Sequence, residues 1–201
     1  MKALKKIPLA ISLMWYYIIA QVIICLHYDR EKFVSGKWFK GGKWGKFTAS
    51  GWKWVVNDYF ACRKLHVNQN VKWPVSPDVR IVTPQNIQFH PDDLNNFQIF
   101  GNYYQAFGHI SIGRGTYIAP NVGLITANHS INALEEHDQA KPIILGEKCW
   151  IGMNAVILPG VHLGPRTIVG AGAVVTKSFI EGNCIIAGNP AKKIREIVEK
   201  A

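Results

Sequence analysis

PIILGEKCWIGMNAVILPGVHLGPRTIVGAGAVVTKSFIEGNCIIA, residues 142–187, places an aliphatic side chain at every sixth position. Leu145, Ile151, Ile157, Leu163, Val169 and Val175 are six consecutive hits, and Gly146, Gly152, Gly164 and Gly170 directly follow four of them. Upstream, Ile112, Ile118 and Leu124 repeat the spacing, with Gly113 and Ala119 behind the first two. A helix repeats near 3.6 residues and a strand near 2, so neither accounts for a period of six. Short fixed periods belong to solenoids, and hexads mark a parallel β-helix. Each hexad then makes one flat face, with its aliphatic residue pointing into a prism and a small residue at the corner. Glycine suits a corner that requires positive φ. Successive coils stack at about 4.8 Å and hydrogen-bond to one another.

The chain has 201 residues, which suggests one main domain with appendages. An apolar fraction of 48% suffices for a sizeable core. The net charge is +10 and unevenly spread: residues 1–72 hold 13 Lys and Arg against 3 acids, and residues 73–201 hold 10 of each. One end is therefore expected to face an anionic surface. Cys25, Cys62, Cys149 and Cys184 are too widely spaced for a CxxC pair or a disulfide scaffold, and are expected to be reduced and mostly buried.

Residues 8–26 form an apolar run about long enough to cross a bilayer as a helix, preceded by Lys2, Lys5 and Lys6. No small-residue cleavage site follows, as a secretory signal would need. Residues 1–28 are thus expected to be a membrane anchor, against the alternative of a helix buried between subunits. In residues 29–73, Lys37-Trp38-Phe39-Lys40, Lys43-Trp44, Lys46-Phe47 and Trp52-Lys53-Trp54 alternate cations with aromatics. Such a segment suits an anionic membrane surface. Single-stranded nucleic acid binding uses similar alternation, but nothing else supports that partner. More cations follow the run than precede it, which places the C-terminal side in the cytoplasm. Residues 47–66 are expected to form an amphipathic helix. Trp73-Pro74-Val75-Ser76-Pro77 and Thr83-Pro84 break helices and open a β domain over 74–201, whose first coils are irregular.

Residues 128–141 fit no hexad and must leave the prism as a loop, a common carrier of function. Around this loop the chain resembles the hexapeptide-repeat acetyltransferases, of the maltose and galactoside O-acetyltransferase type and their surface-polysaccharide relatives. The resemblance rests on Ile118-Ala119-Pro120-Asn121-Val122, Thr126-Ala127-Asn128-His129, Lys141-Pro142-Ile143, Cys149-Trp150-Ile151-Gly152, Ala155-Val156-Ile157-Leu158-Pro159-Gly160-Val161, Val169-Gly170-Ala171-Gly172 and Ala187-Gly188-Asn189-Pro190-Ala191. It is strong over residues 110–197, weaker over 74–109, and does not reach the N-terminal third.

The resemblance implies a left-handed β-helix assembled as a homotrimer; with the N-terminal residues read above, the expected fold is that β-helix with an N-terminal helical extension and a short C-terminal helix. The resemblance also implies acetyl transfer from acetyl-CoA to a hydroxyl, with the site between neighbouring subunits and no metal. His129, opening the external loop, takes the place of the family's catalytic base. A histidine suits that role because its ordinary pKa lies near working pH. Glu135, Glu136, Asp138 or a backbone carbonyl could fix its tautomer, and His137 stands where the family's loop acid would fall. By motif position Trp150, Met153, Ala171, Thr176 and Lys177 would line the acetyl-CoA arm, and Lys192, Lys193 and Arg195 would meet its phosphates. Asn102, Tyr104 and Asn128 would contact the acceptor, with Tyr103 and Gln105 beside them.

Two other functions share the expected fold. A zinc carbonic anhydrase would need His109, His129 and His137 to converge on one metal, and their spacing does not match that family. A non-catalytic scaffold would have no use for His129 and its loop. The apolar, basic N-terminus favours a lipid-linked glycan acceptor at the cytoplasmic face of the bacterial inner membrane.

Overall fold

The computed structural model describes residues 6–42 and 45–198, with side chains from Ile11 onward. Lys2, Lys5 and the Lys43-Trp44 pair lie outside the described residues. The chain divides into two compact units, 1–77 and 78–201.

The first unit holds two packed helices, α1 (Lys6–His27) and α2 (Gly51–Lys64), joined by short 3-10 turns. Its core is aromatic. Phe33, Phe39 and Trp52 are buried, with Phe33 and Phe39 rings 5.3 Å apart and Phe39 and Trp52 rings 4.8 Å apart. Tyr17 of α1 meets Trp52 edge-on at 5.0 Å, and the Trp52 indole N–H donates to the Lys46 carbonyl at 2.6 Å. Part of the aromatic–cationic alternation therefore builds this core instead of facing outward. The amphipathic helix expected over 47–66 is α2, which buries Trp52, Val55, Val56 and Cys62. On α1, Ala20, Ile23 and Ile24 are buried, while Ile11, Met14, Trp15, Ile18, Val22 and Leu26 are exposed. Their three- and four-residue spacing puts the exposed six on one helical face. Among the described residues, no helix is long and apolar enough to cross a membrane. The run's first residues, 8–10, are among those whose side chains are not described.

The second unit is built from three parallel sheets. The first runs Arg80–Val82, Tyr103–Gln105, Gly123–Ile125, Val156–Ile157, Val174–Val175; the second runs Ile87–Phe89, Ile110–Ile112, Ile143–Leu145, His162–Leu163. The third runs Tyr117–Ile118, Trp150–Ile151, Ile168–Val169, Cys184–Gly188, with Ala191–Glu196 on its end. Up to Cys184–Gly188, consecutive strands fall in different sheets and pair in parallel with strands one circuit away. The chain therefore winds as a three-sided parallel coil. The hexad aliphatics form its inner columns: Ile112–Leu145–Leu163, Ile118–Ile151–Val169 and Leu124–Ile157–Val175. All nine are buried.

The glycines behind those aliphatics serve stacking. A Cβ on Gly146 would come within 2.6 Å of the Gly164 backbone, and one on Gly152 within 2.6 Å of the Val169 carbonyl. Positive φ occurs two residues later. Gly115, Asn121, Lys148, Asn154, Gly160, Arg166 and Gly172 are all left-handed, each three positions after an inward aliphatic. The expected link between small residue and corner thus splits into two positions with separate causes.

In the first coil, the helical segment Pro91–Gln98 stands where the third sheet would begin. The Asn96 side chain completes the pairing: its Nδ2 donates to the Thr116 carbonyl at 2.9 Å, and its Oδ1 accepts from the Ile118 amide at 3.0 Å. At the other end, the expected short C-terminal helix is replaced by a strand. Ala191–Glu196 folds back antiparallel on Cys184–Gly188 and fills the open edge of the third sheet, which a helix would leave unpaired.

Candidate active site

The loop leaves the coil between Gly123–Ile125 of the first sheet and Ile143–Leu145 of the second. Buried Thr126 gathers both of its ends. Its hydroxyl donates to the Gln105 carbonyl at 2.6 Å and accepts from the Gly108 amide at 2.9 Å, and its carbonyl accepts from the Lys141 amide at 2.8 Å. The Gln105 side-chain carbonyl accepts from the Ala127 amide at 3.0 Å. Residues 128 and 129 therefore emerge from a fixed rim.

Within the loop, the Ser130 amide donates to the Glu136 carbonyl and the Asp138 amide to the Asn128 carbonyl, both at 2.9 Å. These bonds flank a bridge between His129 and His137. A pair framed in this way is the non-hydrogen-bonded kind, whose side chains stand closest together on one side. The two imidazoles lie 4.3 Å apart between centroids and 33° from parallel. The Phe107 ring meets His137 edge-on at 5.1 Å. His129 is exposed, so its ring is open to reactants. Glu135, Glu136 and Asp138 are also exposed, and among the described residues none forms an ion pair with His129.

A cleft of about 200 Å³ lies where the base of this loop meets the coil, and His129 is not among its lining residues. The loop contributes Asn128, Asp138, Gln139 and Lys141 to its walls, and the coil contributes Leu158, Pro159 and Thr176. Two expected residues, Asn128 and Thr176, thus meet at one site, with His129 next in the chain to Asn128. Lys177 adjoins Thr176, and its ammonium lies 5.8 Å from the Phe179 ring centre. Trp150, Met153, Ala171, Lys192 and Arg195 do not line this cleft. Trp150 is exposed on the third sheet in register with Tyr117 and Ile168. Met153 and Ala171 occupy neighbouring corners, where the Gly172 amide donates to the Met153 carbonyl at 2.8 Å. Lys192 and Arg195 are exposed on the terminal strand, opposite Ala187 and Ile185.

Two acceptor residues are corrected. Tyr104 and Asn102 are buried, each 1% exposed. Tyr104 occupies the inward column between Ile81 and Leu124 and donates its hydroxyl to the Asn96 carbonyl at 3.1 Å. Burial pushes its phenol well above the ordinary range. Asn102 accepts from the Val122 amide at 2.9 Å and faces Tyr104. Both hold coils together and cannot reach an acceptor. Gln105 is likewise occupied at the loop rim.

The sequence reading missed Phe107 and the cleft walls Gln139, Lys141, Leu158 and Pro159. Leu158 was findable, because it lies one circuit before Thr176 on the same face. All four cysteines are reduced, with Cys62, Cys149 and Cys184 buried. Burial raises the Cys149 thiol, which disqualifies it as a ready nucleophile. Among the described residues no group of three His, Cys, Asp or Glu is placed to hold a metal ion. His129 and His137 instead stack on each other.

Residues 142–177 match the family model for the bacterial transferase hexapeptide, six repeats. "Putative colanic acid biosynthesis acetyltransferase WcaF" of Escherichia coli is 30% identical, covering 85% of this chain and 98% of its own. The galactoside O-acetyltransferase of Escherichia coli is 36% identical over 53% of this chain and 57% of its own. A solved galactoside acetyltransferase in complex with coenzyme A superposes with a TM-score of 0.54 and 32% identity, covering 62% of each chain. The chain spans 62%, 60% and 51% of the length of three other curated relatives. A match along almost the whole of one relative, together with hexads that form the inner columns of a three-sided coil, establishes that the chain belongs to the hexapeptide-repeat acetyltransferase family.

Proposed function

We propose that the protein is an O-acetyltransferase that moves acetyl from acetyl-CoA to a sugar hydroxyl, with His129 as general base. The observation that carries this reading is the exposure of His129 at the start of the external loop, next in the chain to Asn128, which walls a cleft together with Thr176. Sugar and coenzyme A enter the reading through the galactoside enzyme's name and bound ligand. An alcohol attacks a thioester poorly until its proton is removed. His129 takes that proton as the oxygen bonds to the carbonyl carbon. The carbon–sulfur bond then breaks, and the proton passes to the departing thiolate. Asn128 orients the hydroxyl, and Thr176 and Lys177 hold the thioester end of the arm. Trp150 on the third sheet and Met153 and Ala171 at the coil corners line the rest of the arm, and Lys192 and Arg195 meet its phosphates.

In this reading the coil is left-handed and three protomers surround the site, as the family resemblance of the hexads implies. Thiol release from acetyl-CoA, assayed with a panel of pyranosides, tests the base. His129→Ala should lower the rate by ~10²–10⁴-fold. An undiminished rate in a folded variant overturns the reading.

The acceptor in this reading is a lipid-linked surface-polysaccharide intermediate at the cytoplasmic face of the bacterial inner membrane. WcaF's name, the charge excess of residues 1–72 and the exposed apolar face of α1 support it. The protein should sediment with vesicles of phosphatidylcholine and phosphatidylglycerol but not with phosphatidylcholine alone. Ile18→Glu should abolish the effect. Equal behaviour with both vesicles would remove the anionic surface from the reading.

A further inference from the structure

We propose that His137 is the positioning residue for His129, acting by ring stacking. The proposal rests on the reading of His129 as the base. A base must hold its ring plane while its nitrogens stay available to the hydroxyl. A carboxylate partner fixes the plane by occupying one nitrogen. A stacked ring fixes it from the side and occupies neither. The loop supplies that second arrangement. Its backbone bonds make residues 129 and 137 a close pair with side chains on one side, and their rings lie 4.3 Å apart. The exposed acids of the same loop form no ion pair with His129 among the described residues.

The stack is anchored at its far side. Phe107 braces His137 at 5.1 Å, and the Phe107 carbonyl accepts from the Asn86 side chain at 3.0 Å. Asn86 also donates to the Ala106 carbonyl at 2.9 Å. The series from Asn86 through Phe107 and His137 to His129 links the rigid coil to the reacting ring. What positions the ring is then aromatic surface, and a phenyl group at 137 should replace the imidazole.

The test uses the full chain with acetyl-CoA and pyranoside acceptors, and compares His137→Ala, His137→Phe and His129→Ala. His137→Ala should lower kcat by ~10–100-fold, the cost of a misplaced catalytic group, with KM for acetyl-CoA unchanged. His137→Phe should restore kcat to within a few-fold of wild type. The ring-proton NMR shifts of His129, which need no acceptor, should move in His137→Ala and stay near their wild-type values in His137→Phe. His129 shifts indifferent to His137→Ala would show that no stack forms, and would overturn the proposal. So would a phenylalanine variant as impaired as the alanine one. Loss of activity in His129→Ala with none in His137→Ala overturns this proposal alone. No loss in either overturns the base as well.

Discussion

Asn102 spends both ends of its amide inside the coil, one on the Val122 amide and the other toward Tyr104. Asn102→Ala would leave the Val122 donor buried without its acceptor. It should destabilise the protein by ~1–3 kcal/mol, measured as a lowered urea midpoint. A loss of acetyl-CoA affinity without destabilisation would contradict the structural role. The phenol of Tyr104 and the thiol of Cys149 are both raised by burial, so the folded chain keeps protons that the unfolded chain releases. Stability should therefore hold below the ordinary thiol and phenol values and fall as pH rises past them. Urea midpoints at pH 8 and pH 10.5 check this, and Tyr104→Phe should flatten the fall. These two residues explain one failure of sequence reading. A tyrosine in a column otherwise aliphatic looks like surface, because only the register with Ile81 and Leu124 reveals that it points inward. His129 was legible because the hexad phase breaks directly before it. The stack on His137 was not, since it depends on which backbone bonds close the loop.

Among the elements, the corners separate two demands that look alike in the sequence. Gly152 is required because the next coil passes too close for a side chain. Gly172 has open space around it but φ of +70°. Gly152→Ala should therefore force neighbouring coils apart and cost ~1–3 kcal/mol. Gly172→Asn should be nearly neutral, because asparagine already occupies the equivalent corners at 121 and 154. Urea denaturation of the two variants measures the contrast, and equal losses would refute it. The hexads were legible because the inward columns repeat without exception from Ile112 to Leu124 and from Leu145 to Val175. The terminal strand was not. Its run Lys192-Lys193-Ile194-Arg195-Glu196 is almost wholly exposed, so no buried face marks its period.

At the scale of the molecule, the two units divide the charge. The helical unit holds the whole of the cationic excess, and the coil carries equal numbers of cations and acids. The proposed membrane binding assigns the contact to the helical unit, so residues 78–201 expressed by themselves should stay in the supernatant with anionic vesicles that sediment the full chain.

The strand that doubles back at the end of the coil does more than finish a sheet. A prism of stacked turns has no intrinsic length, and its last rung offers bare amides and carbonyls to any strand that arrives. Here Lys192, Lys193, Arg195 and Glu196 lie across that rung. Charged residues on such an edge should act as a stopper against end-on polymerisation. A chain ending at Gly188 should expose the rung and show rising light scatter as molecules join nose to tail, while the full chain stays clear.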